Sequence, residues 1–521
     1  MLSRRAAIIL FLAAVACWFG LASANLLFGE LNQDEGWYLY AARSVYEGRW
    51  PYRDFAFTQG PMLPLVYGAA APFWLPFGVG GGRAFTALLG LASIVVAAVW
   101  AGRLAPRGRR AFAAFLAFAA IAVNVYHSYF TTVVKTYSLA ALLLVLAFAL
   151  LTPSGQPVVA PFRLFLSGFL LAAAAATRIT LGLALAATGL VAIIHRREFG
   201  RLGWVWFAAG GTVGLLLLLG VFYRMSPEVF RFFMFEYHAM RDSGGALKAL
   251  AFKVGFLSRL SQGYFVPIAA GVGLAAVSWL GFRSGAPRQS AVERAAWLTV
   301  ALVTVAHVAA PFPYDDYQVP IFPLFAALVA AGWARTPFFQ TPFSALASCG
   351  FALAVNVMAS VSSPINQSWL IVGRDRIWWR MREQPSLLQL REVARRVRNA
   401  AGEEGEVLTQ DTYLAVEAGL RVPAGWEMGV FSYYPDWSLE RAEAFHVVNR
   451  ERVLEQVDRS PARVAALSDY AFSIAAPAIA PLPEDERRAL IQRIERRFPL
   501  AETVPHFGQG NTTLRLFVRP Q

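Results

Sequence analysis

The feature that most constrains this chain is a set of long stretches without one Asp, Glu, Lys or Arg. They are 6–29, 84–102, 111–134, 136–162, 164–177, 179–195, 202–223, 260–282, 295–314, 317–334 and 336–373. An α-helix needs about 20 apolar residues to cross the hydrocarbon core of a bilayer. Most of these runs reach that length; 164–177 and 179–195 are short. The reading is a polytopic α-helical membrane protein with about eleven transmembrane helices. Composition agrees: 57% hydrophobic and 15% charged residues stand far from the roughly 45–50% and 25% of soluble domains, and opposite to the disorder signature.

A net charge of +14 raises the question of a nucleic-acid partner, so its location matters. Residues 1–360 hold 26 basic and 12 acidic residues, and residues 361–521 hold 21 of each. Arg4 and Arg5 precede the first run, which predicts a cytoplasmic N-terminus. Alternation then places Arg103, Arg107, Arg109, Arg110, Arg163, Arg196, Arg197, Arg201, Arg283, Arg288, Arg294 and Arg335 on the same side, with only Glu198 and Glu293 as acids. The excess charge thus marks orientation, and no nucleic acid is expected. The uncharged run 60–82 is rich in Pro and Gly; counting it as a span would invert the Arg103–Arg110 cluster, so it reads as interfacial or re-entrant. Ala22-Ser23-Ala24 resembles a signal-peptidase site, but the preceding run is long for a cleaved signal and reads as a retained anchor. Eleven spans leave the C-terminal 160 residues outside.

The expected division is a membrane domain, 1–362, with external loops 30–82 and 224–259, and an external α/β domain, 363–521. In the latter, Leu387, Leu390, Val393 and Val397 recur at helical spacing, and 450–458 and 483–498 are further helices. Strands are expected at 406–409, 464–467 and 512–518. No Gly-rich phosphate loop is present. Cys17 and Cys349 lie in separate apolar runs and suggest no disulfide or metal spacing.

Charged groups at membrane depth are functional candidates by default. Asp34 and Glu35 follow the first run directly. Neighbouring residues on a helix do not share a face, so one carboxylate can enter a cavity while the other caps or braces the helix. Both capping a solvated loop helix is the plain alternative. Lys135 stands alone between two apolar runs and either binds an anion or reaches to the interface. Arg178 faces the same choice against pairing with carbonyls. In 224–259, Arg231, Tyr237, His238 and Arg241 could bind phosphate or acceptor, or simply line a solvated helix. Gln59 precedes Gly60-Pro61. Asp315 and Asp316 could bind an acceptor, a sugar or a cation, though a water-facing turn is the plainer reading, and His307 reads as a hydrogen-bonded bundle histidine.

The stretch from Asp34-Glu35-Gly36 through Ala42-Arg43, Glu47-Gly48, Pro51-Tyr52-Arg53-Asp54-Phe55 and Gln59-Gly60-Pro61 resembles the first external loop of the GT-C class of membrane glycosyltransferases. These depend on polyprenyl-phosphate sugars and are related to protein O-mannosyltransferases and lipid A aminoarabinose transferases. Arg178-Ile179-Thr180, Tyr317-Gln318-Val319-Pro320, Ala415-Val416-Glu417-Ala418-Gly419-Leu420 and Gly425-Trp426-Glu427 resemble further features of that class.

The resemblance implies transfer of a hexosyl or pentosyl unit, with inversion, from a polyprenyl-phosphate carrier to a hydroxyl of a lipid, glycan or protein. The site would lie at the external face of a bacterial inner membrane, among membrane lipids. It implies Asp34 as general base with Glu35 assisting or bracing it. Phosphate or substrate contacts would come from Gln59, Lys135, Arg178, Arg231, His238 and Arg241. A divalent cation is a possible cofactor, although Lys135 stands where relatives often carry a second acid. The competing classes are an O-antigen ligase or polymerase and a secondary transporter; the absence of internal repeats speaks against the transporter.

Overall fold

The computed structural model describes residues 4–519 apart from 154–157, 243, 281–288, 340, 362–383, 404 and 477–478. The expected boundary at 362/363 lies outside the described residues. The chain is a multi-pass helical membrane protein with a small C-terminal sheet. Among the described residues, five helices are long and apolar enough to cross a membrane: Arg5–Phe28, Ala71–Leu104, Gly203–Met225, Ala291–Ala309 and Phe343–Ser360. A sixth candidate is the pair Ala246–Gly263 and Phe265–Trp279, bent by 92°. Tyr137–Leu151, Pro161–Thr177 and Ile179–Ile194 are shorter apolar helices.

The apolar runs are therefore less uniform than eleven straight spans. The run 111–134 becomes helices Arg110–Ala122 and Val125–Phe130, interrupted at Asn124, whose side chain caps the second by accepting from the His127 amide. The runs flanking Arg178 are two helices, because Arg178 takes an extended backbone (φ −142°, ψ 115°) at the end of the first. The segment 60–82 forms a short helix, Met62–Ala69, and then enters the long Ala71–Leu104 helix. Gly60-Pro61 opens this segment: the backbone of Gly60 approaches Ala176 so closely that a Cβ there would sit 1.9 Å from its carbonyl oxygen.

The basic loops meet at one end of the bundle. Arg109 donates to the carbonyls of Ala334 and Thr336 (2.8 and 2.5 Å). Arg335 pairs with Glu293 at 2.5 Å and donates to the Leu104 carbonyl at 2.7 Å. Arg294 pairs with Glu198 at 2.8 Å. Guanidinium groups here satisfy the carbonyls that helix ends leave open.

At the other end lies the C-terminal domain. Its helices Ser386–Ala401, Arg450–Arg459 and Glu484–Arg497 coincide with the expected ones. The strands Val407–Leu408, Val464–Ser468 and Thr512–Val518 are also where the pattern places them, and Leu500–Phe507 is an additional strand. Taken along the sheet, Val407–Leu408 runs parallel to Val464–Ser468, which is antiparallel to Thr512–Val518, which is antiparallel to Leu500–Phe507.

This domain is clamped to the loop that follows the first helix. That loop holds the helix Gln33–Tyr46, capped by the Asn32 side chain. Gly36 faces the start of helix Thr412–Ala418, where a Cβ would fall 2.4 Å from the Tyr413 nitrogen. Asp411 accepts from Gln33 Nε2 (2.7 Å), the Tyr413 hydroxyl (2.7 Å) and the Ser468 hydroxyl (3.1 Å). Burial pushes the Asp411 carboxyl up, and these donors work against that rise. Glu417 accepts from the amide of Val79, at the start of helix Gly78–Leu104 (2.7 Å), and Glu427 pairs with Arg49 (2.8 Å). The two glutamates of the Ala-Val-Glu-Ala-Gly and Gly-Trp-Glu segments thus serve as docking groups.

Beneath this clamp Glu35 and Arg83 form a fully buried pair. Arg83 Nε and Nη2 each meet a Glu35 oxygen at 2.7 Å. The same guanidinium donates to the carbonyls of Leu26, Gly29 and Glu30 at 3.0–3.2 Å, closing the end of the first helix. Removing one partner strands a buried charge, at a cost of about 3–5 kcal/mol. Glu35→Gln should therefore lower the thermal unfolding midpoint of the detergent-solubilised protein by several degrees. A midpoint equal to the parent's would show that the pair does not brace the loop.

Candidate active site

Asp34 and Glu35 point to different places, as adjacent helical residues must. Glu35 is inside, bound to Arg83, and does not line the cavity; the structure gives it the bracing role and not that of a second reacting carboxylate. Asp34 is partly exposed and lines a cavity of about 380 Å³ between the bundle and the C-terminal domain. Its Oδ1 accepts from Trp37 Nε1 (3.3 Å), and its backbone amide donates to the Asn32 side chain (3.0 Å). One carboxylate oxygen is thereby oriented by the helix cap and the indole.

Opposite stands Lys135, in the loop between helices Val125–Phe130 and Tyr137–Leu151. Its ammonium does not reach an interface. It lies 3.4 Å from Asp34 Oδ2 and 3.0 Å from Asp316 Oδ2, and near the rings of Phe130 and Tyr137 (5.2 and 5.8 Å). Asp316 is not the expected water-facing residue. It is buried, and also accepts from the Tyr137 hydroxyl at 2.8 Å. Burial opposes its ionisation, but Lys135, the Tyr137 hydroxyl and Arg178 outweigh that and hold the carboxyl below the ordinary carboxylate range.

Arg178 also escapes the carbonyl-pairing alternative. Its guanidinium lies 4.8 Å from the ring centres of both Tyr137 and Tyr317 and donates to Thr136 Oγ1 (3.1 Å). Aromatic faces hold a cation without consuming its in-plane donors, so the fork keeps hydrogen-bonding capacity toward the cavity. The break after Thr177 is what delivers it there. Arg241 donates to the Tyr317 hydroxyl (3.2 Å) and lies near the rings of Tyr237 and Phe312. Arg259, from the kinked helix Ala246–Gly263, lines the same cavity.

Gln59 lines the cavity too, on a loop fixed by Tyr52, whose hydroxyl donates to the Gln59 carbonyl. The Pro-Tyr-Arg-Asp-Phe motif makes that anchor: Tyr52 is buried with a left-handed backbone (φ 65°), and its amide donates to the Phe55 carbonyl at 2.8 Å.

Two expected contacts fall elsewhere. Arg231 is exposed and pairs with Glu236 at 2.7 Å. His238 donates from Nε2 to the Thr58 carbonyl at 2.7 Å and stays behind the cavity wall. Burial first, and the Arg241 charge second, push its imidazole down to about 4. His307, as expected, is a bundle histidine, sharing a hydrogen bond with Thr180 at 3.1 Å.

The sequence offered Asp316 only as the less favoured reading of a turn, and did not single out Arg259, Tyr137 or Tyr317, which also line the cavity. It also missed the wall given by the C-terminal domain: Val430, Phe431, Tyr470, Ile474, Ile479 and Gln509. The only local signal for Asp316 was an acid at the outer start of an apolar run, at the same depth as Lys135. Among the described residues no group of three His, Cys, Asp or Glu side chains is placed to hold a metal.

The depressed His238 value has a stability consequence. Near pH 7 both folded and unfolded forms are neutral at this site. As pH falls below about 6.5 the unfolded chain takes up a proton that the fold resists until about 4. The His238 contribution to stability is thus present above pH 6.5 and lost as pH falls toward 4. His238→Gln, which keeps a donor toward Thr58, should flatten that part of a melting-temperature-against-pH curve; an unchanged slope would contradict the buried neutral imidazole.

No known family profile matches this sequence, and no curated protein does. Solved structures do. The crystal structure of ArnT from Cupriavidus metallidurans bound to undecaprenyl phosphate is similar over 98% of this chain and 97% of that one, with a TM-score of 0.60 and 15% identity. The oligosaccharyltransferase of Archaeoglobus fulgidus, tethered to an acceptor peptide, covers 98% of this chain and 74% of its own, at 11% identity and a TM-score of 0.49, too low to argue from. The identity to ArnT speaks to fold alone, and the fold is the one that the resemblance in the loop after the first helix implies: this chain is a multi-pass membrane protein with the GT-C architecture.

Proposed function

We propose that this protein transfers a sugar from a polyprenyl-phosphate carrier to an acceptor hydroxyl, with Asp34 as general base. The observation that carries the reading is one cavity in which a carboxylate faces three arginines, Arg178, Arg241 and Arg259, at the end of the bundle remote from the basic loops. A polyprenyl-phosphate sugar is an amphiphile with one negative charge at its reacting end. Its chain can stay among lipid-facing helices while its phosphate meets the guanidinium groups.

Asp34 accepts the proton of the acceptor hydroxyl as that oxygen bonds to the anomeric carbon from the face opposite the carrier. The bond from that carbon to the phosphate oxygen breaks, and polyprenyl phosphate leaves carrying the electron pair. The configuration inverts in this single displacement. Charge grows on the leaving phosphate, where Arg178 and Arg241 give the paired charge-assisted donors that stabilise it most. Gln59 is suited to a sugar hydroxyl or a phosphate oxygen. The C-terminal domain supplies the rest of the enclosure, with Phe431, Ile474 and Ile479 beside the Tyr470 and Gln509 side chains. A lipid, glycan or protein hydroxyl would enter there. The N-terminus would be cytoplasmic and the cavity external, in a bacterial inner membrane.

Loss of a positioned general base costs about 10²–10⁴ in rate. Asp34→Asn should lower kcat by that factor with little change in donor affinity; normal transfer by the folded variant would remove Asp34 from the chemistry. Arg178→Gln should instead raise the donor KM and lower kcat together. Retention of parental values for both would show that the phosphate is bound elsewhere. Comparing envelope lipids and glycans of a deletion strain by mass spectrometry would name the sugar and acceptor.

A further inference from the structure

A divalent cation is the cofactor that the family resemblance makes worth testing, and Asp34 and Asp316 are the two carboxylates nearest each other in the cavity. The residues present do not fit such an ion. The place between these carboxylates is filled by the Lys135 ammonium, 3.4 Å from Asp34 Oδ2 and 3.0 Å from Asp316 Oδ2. Lys135 is held there firmly. Its side chain is 7% exposed, and its ammonium lies near the Phe130 and Tyr137 rings, with the Tyr137 hydroxyl donating to the same Asp316 oxygen. A hard dication binds carboxylate oxygens at about 2.0–2.6 Å and takes about six to eight oxygen ligands in all. It would have to occupy the ammonium's position and would meet a like charge there.

We infer that Lys135 is a built-in counter-ion that takes the place of a divalent cation, bridging Asp34 to Asp316 and orienting Asp34 toward the cavity. The three charges come from three separate parts of the chain: the first external loop, the 131–136 loop, and the turn Asp315–Ile321. The bridge therefore also fixes the relative position of those parts. The carboxylate that would accept the acceptor's proton is presented by a covalently tethered cation that cannot be lost to chelation. Lys135 is a positioning residue in this scheme, since it acts through Asp34. Its assignment to the leaving phosphate is given up; Arg178 and Arg241 remain for that. The role in transfer rests on the function proposed above, whereas the occupancy of the cation position does not.

Two measurements on the purified full-length protein keep these apart. Manganese binding is read without substrate, by the loss of the free Mn²⁺ paramagnetic resonance signal. The parent should bind no stoichiometric Mn²⁺ at sub-millimolar concentration. Lys135→Ala should gain a single site, at least tenfold tighter, that Asp316→Asn removes again. Should the alanine variant fail to fold, Lys135→Gln, which keeps the stem and offers an oxygen, answers the same question. A stoichiometric Mn²⁺ site in the parent that Asp34→Asn or Asp316→Asn abolishes would overturn the inference. So would a folded Lys135 variant with no gain in Mn²⁺ affinity. In the transfer assay, EDTA should leave parental activity within twofold, and Mn²⁺ should raise the activity of Lys135→Ala at least tenfold. Parental activity abolished by EDTA and restored by Mn²⁺ would overturn it too. If no sugar is transferred at all, the function fails and the binding result still decides the place of Lys135.

Discussion

Everything at the cavity end of this protein depends on one buried ion pair. Arg83, inside a long apolar helix, spends its five donors on Glu35 and on the carbonyls that end the first helix. Without that partner, neither the arginine nor the glutamate could stay dry. With it, the first helix, the loop after it and the Ala71–Leu104 helix become one unit. Because Glu35 must point inward, Asp34, one residue earlier on the same helix, is turned by about 100° toward the cavity. The Asp-Glu pair is thus a single device: one carboxylate fastens the helix and the other is presented by it.

A second constraint is the joint with the C-terminal domain. Gly36 and the start of helix Thr412–Ala418 touch at backbone distance, and Asp411, Glu417 and Glu427 each take donors from the membrane half. The domain is therefore part of the site and not an appendage, since its residues close one wall of the cavity. Around that wall the charges are ordered. Arg178 and Arg241 are held by aromatic rings, which leave their donors usable, and the lysine is held by two carboxylates, which do not. This difference separates groups suited to an incoming anion from a group suited to internal support.

Much of this was legible in the sequence, and the limits have a physical origin. Charge-free runs expose the membrane architecture, because desolvation acts on each residue locally. Periodicity found three of the C-terminal helices and three of the four strands of the larger sheet for the same reason. Leu500–Phe507 was missed because its side chains are mostly exposed and carry little alternation. The cavity is another matter. That Asp34, Lys135 and Asp316 meet depends on packing between parts more than a hundred residues apart, and nothing in the local pattern of Asp315-Asp316 distinguishes a wet turn from a buried carboxylate. Arg231 and Arg241 look alike in sequence, yet one pairs with Glu236 in solvent and the other faces the cavity. The break at Arg178 was visible as the short runs on either side of it, whereas Asn124 lies inside an uninterrupted run and gave no such sign.

The decisive measurement is a structure of the full-length protein with undecaprenyl phosphate, solved in lipid nanodiscs. The phosphate should appear in the cavity lined by Asp34, within hydrogen-bonding distance of Arg178 and Arg241, with the isoprenoid chain leaving between lipid-facing helices. A lipid phosphate bound at the arginine-rich opposite end, or a cavity left empty at saturating lipid, would contradict a transfer site at Asp34.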